Sequence, residues 1–235
     1  MTDRLRVAHC SDIHLTGETS DRARNGFGAA LAAIRAQRPD LLLLAGDLFD
    51  SNAVPDRTIL WAMAELGALP FPVVMIPGNH DCLIADGIYR RHDFDTIGNV
   101  RLIADPAGGA VDLPALGARV WGRAMVSHTP GFQPLAGLEA RPADRIWHLG
   151  LAHGFFVPRG EESMRSSPIR MEEIEAAGLD YLALGHHHAA MELVTPRACA
   201  AYCGSPTDTL GRGRTYALAD LVSGRTPTLT IHRID

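Results

Sequence analysis

Asp12-Ile13-His14, Gly46-Asp47-Leu48-Phe49-Asp50, Gly78-Asn79-His80-Asp81, His153-Gly154 and Gly185-His186-His187-His188 each close an apolar run with carboxylates, an amide or imidazoles. These groups bind divalent transition metals. Taken in order they offer enough oxygen and nitrogen donors for two ions a few ångströms apart. Two ions at that spacing can clamp both the attacking and the leaving oxygen of a phosphate ester. Function therefore turns on whether the five segments converge.

Each residue type has a reason. Asp12 and His14 stand two apart, so both can face one ion where the backbone turns at a strand end. Asp47 follows Gly46, which permits close approach or positive φ. Asp47 is the candidate bridge, one carboxylate oxygen to each ion. Asn79 adds a neutral carbonyl oxygen and leaves the pair more electrophilic than another carboxylate would. His153, His186 and His188 add imidazoles; the outer two of the histidine triplet can share a side while His187 points away. The mixed set predicts two divalent transition metals, manganese first and iron or zinc as alternatives, over calcium or magnesium. His80 can protonate the leaving oxygen, oriented by Asp50 or Asp81. Asp50 has an equally good plain reading, as a cap for the helix that follows. His9, His92, His128, His148 and His232 fall outside every segment and read as core or surface residues.

The elements that must carry these residues alternate over the first half. Strands are predicted over 4–10, 40–45 and 72–76, with helices over 22–37 and 55–66 between them. Phe27, Ala30, Leu31 and Ile34 recur at helical spacing, and Pro39 stops that helix. Four consecutive leucines, 41–44, read as a strand buried on both faces. Strand, helix, strand, helix, strand implies a parallel sheet, and ligands collect outside the carboxyl ends of such strands. The second half reads as short strands over 100–103, 118–121, 146–152, 181–184, 191–194, 198–203, 214–221 and 228–233. One helix is predicted there over 168–177, capped by Ser167, opened by Pro168 and ended by Gly178.

Bulk properties set bounds. The 235 residues, 46% hydrophobic, suit one large unit spanning 1–235. No run is long enough to span a bilayer, and the N-terminus lacks a signal-peptide pattern, so the expectation is a cytoplasmic protein with no membrane partner. The four cysteines show neither a CxxC pair nor a disulfide framework and read as reduced thiols. A net charge of −5 argues against broad duplex-DNA binding.

With all five segments in place, the chain resembles the calcineurin-like metallophosphoesterase superfamily, whose pattern is D-x-H, G-D-x-x-D, G-N-H-[DE], H and G-H-x-H. The match runs from Asp12 to His188 with no position substituted. The resemblance implies an α/β fold, a four-layer αββα sandwich of two mixed β-sheets flanked by helices. It implies that Asp12, His14, Asp47 and His188 hold one ion, that Asp47, Asn79, His153 and His186 hold the other, and that His80 is the catalytic acid. In detail the chain is similar to SbcD-type DNA repair exonucleases, through Gly46 to Asp50, Pro77 to Asp81, Leu182 to His186 and Tyr202 to Pro206. Protein Ser/Thr phosphatases instead carry Arg-Gly after the second motif and Glu in the third, where this chain has Ser51-Asn52 and Asp81.

Such nucleases continue into a DNA-contacting domain and a linker to an ATPase partner, whereas this chain stops at Asp235. The expectation is therefore a metal-dependent phosphodiesterase with a nuclease-like core, working by in-line attack of a metal-bridging hydroxide. Its substrate would be a small molecule or single-stranded nucleic acid, without an ATPase partner. The alternatives are a phosphomonoesterase, a phosphodiesterase for cyclic nucleotides, glycerophosphodiesters or aryl esters, and a non-catalytic scaffold, which the intact ligand set disfavours. Arg123, Arg159, Arg165, Arg212 and Arg214 are candidates for reading a second anionic group.

Overall fold

The protein is described by a computed structural model covering residues 3–17 and 22–234. The last part of the polar turn after the first strand, 18–21, lies outside the described residues. The first half contains β1 (Arg4–Cys10), α1 (Arg22–Ala36), β2 (Leu41–Ala45), α2 (Asp56–Gly67), β3 (Val73–Ile76), α3 (Ile88–Arg91) and β4 (Val100–Leu102). There follow β5 (Gly109–Leu113), β6 (Ala118–Gly122), β7 (Trp147–His153), β8 (Phe155–Val157), β9 (Pro168–Arg170) and α4 (Met171–Ala176). The chain closes with β10 (Tyr181–Gly185), β11 (Ala190–Thr195), β12 (Ala198–Cys203), β13 (Thr215–Val222) and β14 (Thr228–Arg233).

Two six-stranded mixed sheets result, ordered β14-β13-β1-β2-β3-β4 and β11-β12-β10-β7-β6-β5. Parity along the strands builds the layers. Leu41, Leu43 and Ala45 of β2 face the space between the sheets, while Leu42 and Leu44 face α1 and α2. In β10, Tyr181 and Ala183 enter the inter-sheet core, while Leu182 and Leu184 pack outward with Ile174 of α4. A sheet covered on both faces needs uninterrupted apolar strands, which is why β2 is nearly all leucine. The order helix, sheet, sheet, helix is the α/β sandwich expected from the motifs.

Departures are local. The helix expected from Pro168 begins at Met171, because 168–170 pair with 155–157 as a small two-stranded parallel sheet. Ser167 is therefore not its cap. Its N–H donates to the Thr129 carbonyl at 2.9 Å, and the N-cap position belongs to Arg170, whose N–H donates to Glu173 Oε2 at 2.7 Å. β5 was not foreseen: it is an edge strand of alternating half-buried and exposed residues, held to β6. Its Asp112 pairs with Arg119 across the ladder at 2.6 Å.

His9 lies fully buried between the sheets, with Nδ1 2.9 Å from the Tyr181 hydroxyl. Burial pushes its imidazole down to about 3. An unfolded chain takes up a proton below about pH 6.5, whereas the folded one refuses it until about pH 3. The stability that neutral His9 contributes is thus complete above pH 6.5 and is lost as the pH falls towards 3. At about 1.4 kcal/mol per unit, the loss at pH 5 is roughly 2 kcal/mol. Urea unfolding at pH 7 and 5 checks this: His9→Gln should lose about 2 kcal/mol less than the wild type on acidification. Equal losses would place the acid sensitivity elsewhere.

Candidate metal centre

β1, β2 and β3 run parallel in the first sheet, and β7, β10 and β12 do so in the second. Their carboxyl ends meet at one edge. Asp12 and His14 follow β1, Asp47 and Asp50 follow β2, and Asn79 and His80 follow β3. His153 is the last residue of β7, and His186 and His188 follow β10.

The first two loops are zipped together. The N–H groups of Asp12, Ile13, His14 and Leu15 donate to the carbonyls of Gly46, Asp47, Asp47 and Leu48, and Asp50 N–H returns to Leu15. The zipping requires unusual backbone. Asp12, His14, Asp47 and His186 all have positive φ, 55°, 52°, 53° and 100°. Outside glycine such conformations cost of order 1 kcal/mol or more, persist where surroundings impose them, and gather at functional sites. Only Arg38 and Ser167 share this feature among the other described non-glycine residues. No spacing rule in the sequence announces it.

The side chains gather in two groups around one oxygen. His14 Nε2 lies 3.2 Å from His188 Nε2 and 3.8 Å from Asp47 Oδ2, and His188 Nε2 lies 3.6 Å from Asp12 Oδ1. On the other side, His153 Nε2 lies 3.4 Å from Asp47 Oδ2 and 2.9 Å from Asn79 Oδ1, which is also 2.9 Å from His186 Nδ1. All seven candidate ligands are thus brought together. Asp47 Oδ2 is turned to both groups, while Oδ1 accepts the His80 N–H at 2.8 Å.

Two glycines make this approach possible. A Cβ on Gly78 would run into the Asp47 carboxylate and backbone nitrogen. One on Gly185 would strike the Ala45 carbonyl and come within 2.7 Å of His153 Nδ1.

The donor chemistry tests whether a cation fits. His153 Nδ1 is 2.8 Å from the Ala45 carbonyl and must donate its hydrogen there. Its other nitrogen then faces two acceptors, Asp47 Oδ2 and Asn79 Oδ1. A positive charge between them, a proton or a metal ion, reconciles these lone pairs. Burial works against a proton on His153, but the Asp47 charge and hydrogen bond push the ring up to about 9. Asp47 is held well below the usual carboxylate range against the cost of its burial, chiefly by His153. Burial lowers His14 and His188, and burial with neighbouring His153 takes His186 down to about 3. Imidazoles that resist protonation beside an ionised carboxylate are what a divalent ion requires.

Buried groups brace this arrangement. Asp81, expected as a possible orienter of His80, instead spends its carboxylate on the Gly78 N–H (2.7 Å), the Phe49 N–H (3.1 Å) and the Tyr89 hydroxyl (2.7 Å). It ties the second loop to the third. Asp12 accepts from the Ser11 hydroxyl at 2.6 Å and the His186 N–H at 3.0 Å. The hydroxyls of Ser205 and Thr207 donate to the carbonyls of Asp12 and Ile13, at 2.6 and 2.8 Å. Ser205, in the segment from Tyr202 to Pro206, and Thr207 just after it thus underpin the first loop, a role that the sequence left unspecified.

His80 stands at the rim, half-exposed, with its ring edge-on to His14 at 4.5 Å between centroids. Its Nδ1 donates to the Asp50 backbone carbonyl at 2.8 Å, so Nε2 is the nitrogen left to serve a substrate. The Asp50 carboxylate is closer to His14 Nδ1 (3.2 Å) than to His80 Nδ1 (3.7 Å). It turns His14 Nε2 towards the cluster, an orienting role more direct than the one expected at His80. His187 points away, with Nδ1 on the Ala189 carbonyl and its ring against Tyr202.

The proposed arginine readers separate. Arg123 is spent on the carbonyls of Pro106 and Gln133, Arg159 on Glu172 and Glu175, and Arg165 lies over Phe155. Arg212 is close enough for its charge to act on His188. Arg22, which no motif marked, lines a groove of about 500 Å3 that runs from His14, Asp50, His80 and His188 to Asp208 and Leu210. His128, set aside from sequence as core or surface, has its ring 5.2 Å from that of His186.

Residues 5–190 match the family model described as calcineurin-like phosphoesterase. Among curated proteins, a 3',5'-cyclic-nucleotide phosphodiesterase of Nostoc sp. is 34% identical over 88 residues, 34% of this chain and 32% of that protein. The DNA double-strand break repair protein Mre11 of Aeropyrum pernix is 33% identical over 85 residues, 32% of this chain and 21% of that protein. The aligned segments therefore span a third or less of these relatives. A dimetal phosphatase from Danio rerio shares the fold, with a TM-score of 0.64 and 12% identity over 98% of this chain and 96% of that one.

Proposed function

Because the chain belongs to the calcineurin-like phosphoesterase family, matched over residues 5–190, we propose that it is a cytoplasmic, dinuclear-metal-dependent phosphodiesterase whose catalytic unit spans residues 1–235. The observation that carries this reading is Asp47 Oδ2, turned at once to His14 and to His153. Asp12, His14, Asp47 and His188 would hold one ion, and Asp47, Asn79, His153 and His186 the other. Manganese suits this set of nitrogen and oxygen donors best, with iron or zinc as alternatives. Two such ions supply Lewis acidity at phosphorus and acidify a water for the attack.

The chain's own residues do the rest. The Asp50 carbonyl anchors His80 through Nδ1 and leaves Nε2 to pass a proton to the departing oxygen. Asp50 and Asp81 act through position: Asp50 orients His14, and Asp81 holds the loops that carry Asp47 and Asn79. The groove beside His80 has room for a leaving group much larger than water. Both curated relatives above are named for cleavage or repair of phosphodiester compounds, which supports diesters over monoesters. A small or single-stranded substrate suits an acidic chain. Among the described residues no helix is long and apolar enough to cross a membrane.

Steady-state hydrolysis of bis(4-nitrophenyl) phosphate and of 4-nitrophenyl phosphate by the manganese-loaded protein tests the reading. The diester should be turned over with the higher kcat/KM. Absence of diester turnover with manganese, iron and zinc alike would refute it.

A further inference from the structure

His80 and His128 are exposed imidazoles that touch opposite ends of the gathered histidines, His14 and His186. The imidazole rings form two runs: His80, His14 and His188 on one side, with centroids 4.5 and 4.9 Å apart, and His153, His186 and His128 on the other, at 5.4 and 5.2 Å. In each run the outermost ring is exposed and is not one of the seven gathered donors. His80 has a part in the chemistry above. His128 has none.

The loop that presents His128 is built for position. Ala124 N–H donates to the Asp105 carbonyl at 3.0 Å, and the Met125 carbonyl accepts from Leu83 N–H at 2.7 Å. The Thr129 carbonyl accepts from both Ser167 (2.9 Å) and Phe132 (3.1 Å). Ala124 and Met125 are buried. The backbone is thus pinned on both sides of an exposed imidazole, one link of which reaches the segment just after Asp81. The ring of His128 makes no hydrogen bond among the described residues. It contacts His186 edge-on and is otherwise exposed. A histidine serving packing alone would not need a braced loop to hold it, solvent-accessible, against a candidate ligand.

We propose that His128 is a substrate-binding residue that donates a hydrogen bond to a phosphate oxygen from the His186 side. It would hold the phosphoryl group while the leaving group lies in the groove on the His80 side. The inference rests on the phosphodiesterase reading and adds to it a residue outside the five motifs.

A hydrogen bond to a charged oxygen is worth roughly 10- to 100-fold in binding. His128→Ala in the manganese-loaded protein should therefore lower kcat/KM for bis(4-nitrophenyl) phosphate by about that factor, chiefly through KM. Metal content and Tm should match the wild type. His128→Gln, which keeps an N–H donor, should recover most of the loss. An active wild type with His128→Ala within about twofold of it would overturn this inference alone. So would loss of metal from His128→Ala, or equal loss in the alanine and glutamine variants, since these would mark a ligand or a structural role. A wild type without diester turnover would defeat this inference together with the phosphodiesterase reading.

Discussion

Asp47→Ala should abolish diester hydrolysis, lowering kcat/KM by at least about a thousandfold, and should leave fewer than two divalent ions per chain. The size follows from what the carboxylate does. Metal-ion catalysis is worth several kcal/mol at the transition state, and at 1.36 kcal/mol per decade that is about three decades. Asp47 Oδ2 is turned towards both sets of donors, 3.8 Å from His14 Nε2 and 3.4 Å from His153 Nε2. Its Oδ1 also receives the His80 N–H, so the substitution disturbs the acid as well as the ions. Asp47→Asn separates the two effects. The amide keeps an oxygen for His80 and fills the same space against Gly78, but it loses the charge. It should fall nearly as far in activity while keeping the wild-type Tm more closely than alanine does. Metal analysis and steady-state kinetics on the two variants check this. An alanine variant with two bound ions, or with a tenth of wild-type activity, would remove Asp47 from its role.

The second large effect is expected at His80. A general acid contributes about 10²- to 10⁴-fold where the leaving oxygen needs a proton. His80→Ala should lose that much on diesters with alkyl or nucleoside leaving groups. It should lose much less on 4-nitrophenyl esters, whose phenolate departs unaided. The plot of log kcat/KM against leaving-group pKa should therefore be steeper for the variant. Parallel plots would mean that His80 supports the site without passing a proton. Because Nδ1 is held by the Asp50 carbonyl, the effect belongs to Nε2.

Much of this centre could be read from residue order because its chemistry is local to strand ends. Apolar runs such as 41–45 reveal a buried strand, and the abrupt change to Gly46-Asp47 marks where it leaves the core. Parallel strands then force such ends together, so the convergence of Asp12, Asp47 and Asn79 follows from topology. What could not be read lies in three kinds of feature. Backbone strain at Asp12, His14 and Asp47 in the zipped loops, and at His186 after β10, leaves no mark on composition. Long-range hydrogen bonds reassign roles. Asp81 looked like a partner of its neighbour His80, but its acceptors are taken by residues from Phe49 to Tyr89. His128 stands near His186 through a loop conformation that has no sequence signature. The edge elements failed for a different reason. β5 is short and partly exposed and β9 has only three residues, so their strand signal is weak, and Pro168 looked like the start of a helix when it serves a two-stranded sheet.

Two ions sharing Asp47 should act together on a phosphodiester, and titration of metal-free protein with manganese(II), monitored by hydrolysis of bis(4-nitrophenyl) phosphate, reads this out. Activity should rise to a break at two equivalents per chain in the wild type, and no amount of manganese should restore Asp47→Ala. Full activity at one equivalent, or no turnover at any loading, would rule out a shared two-ion centre acting on a phosphodiester.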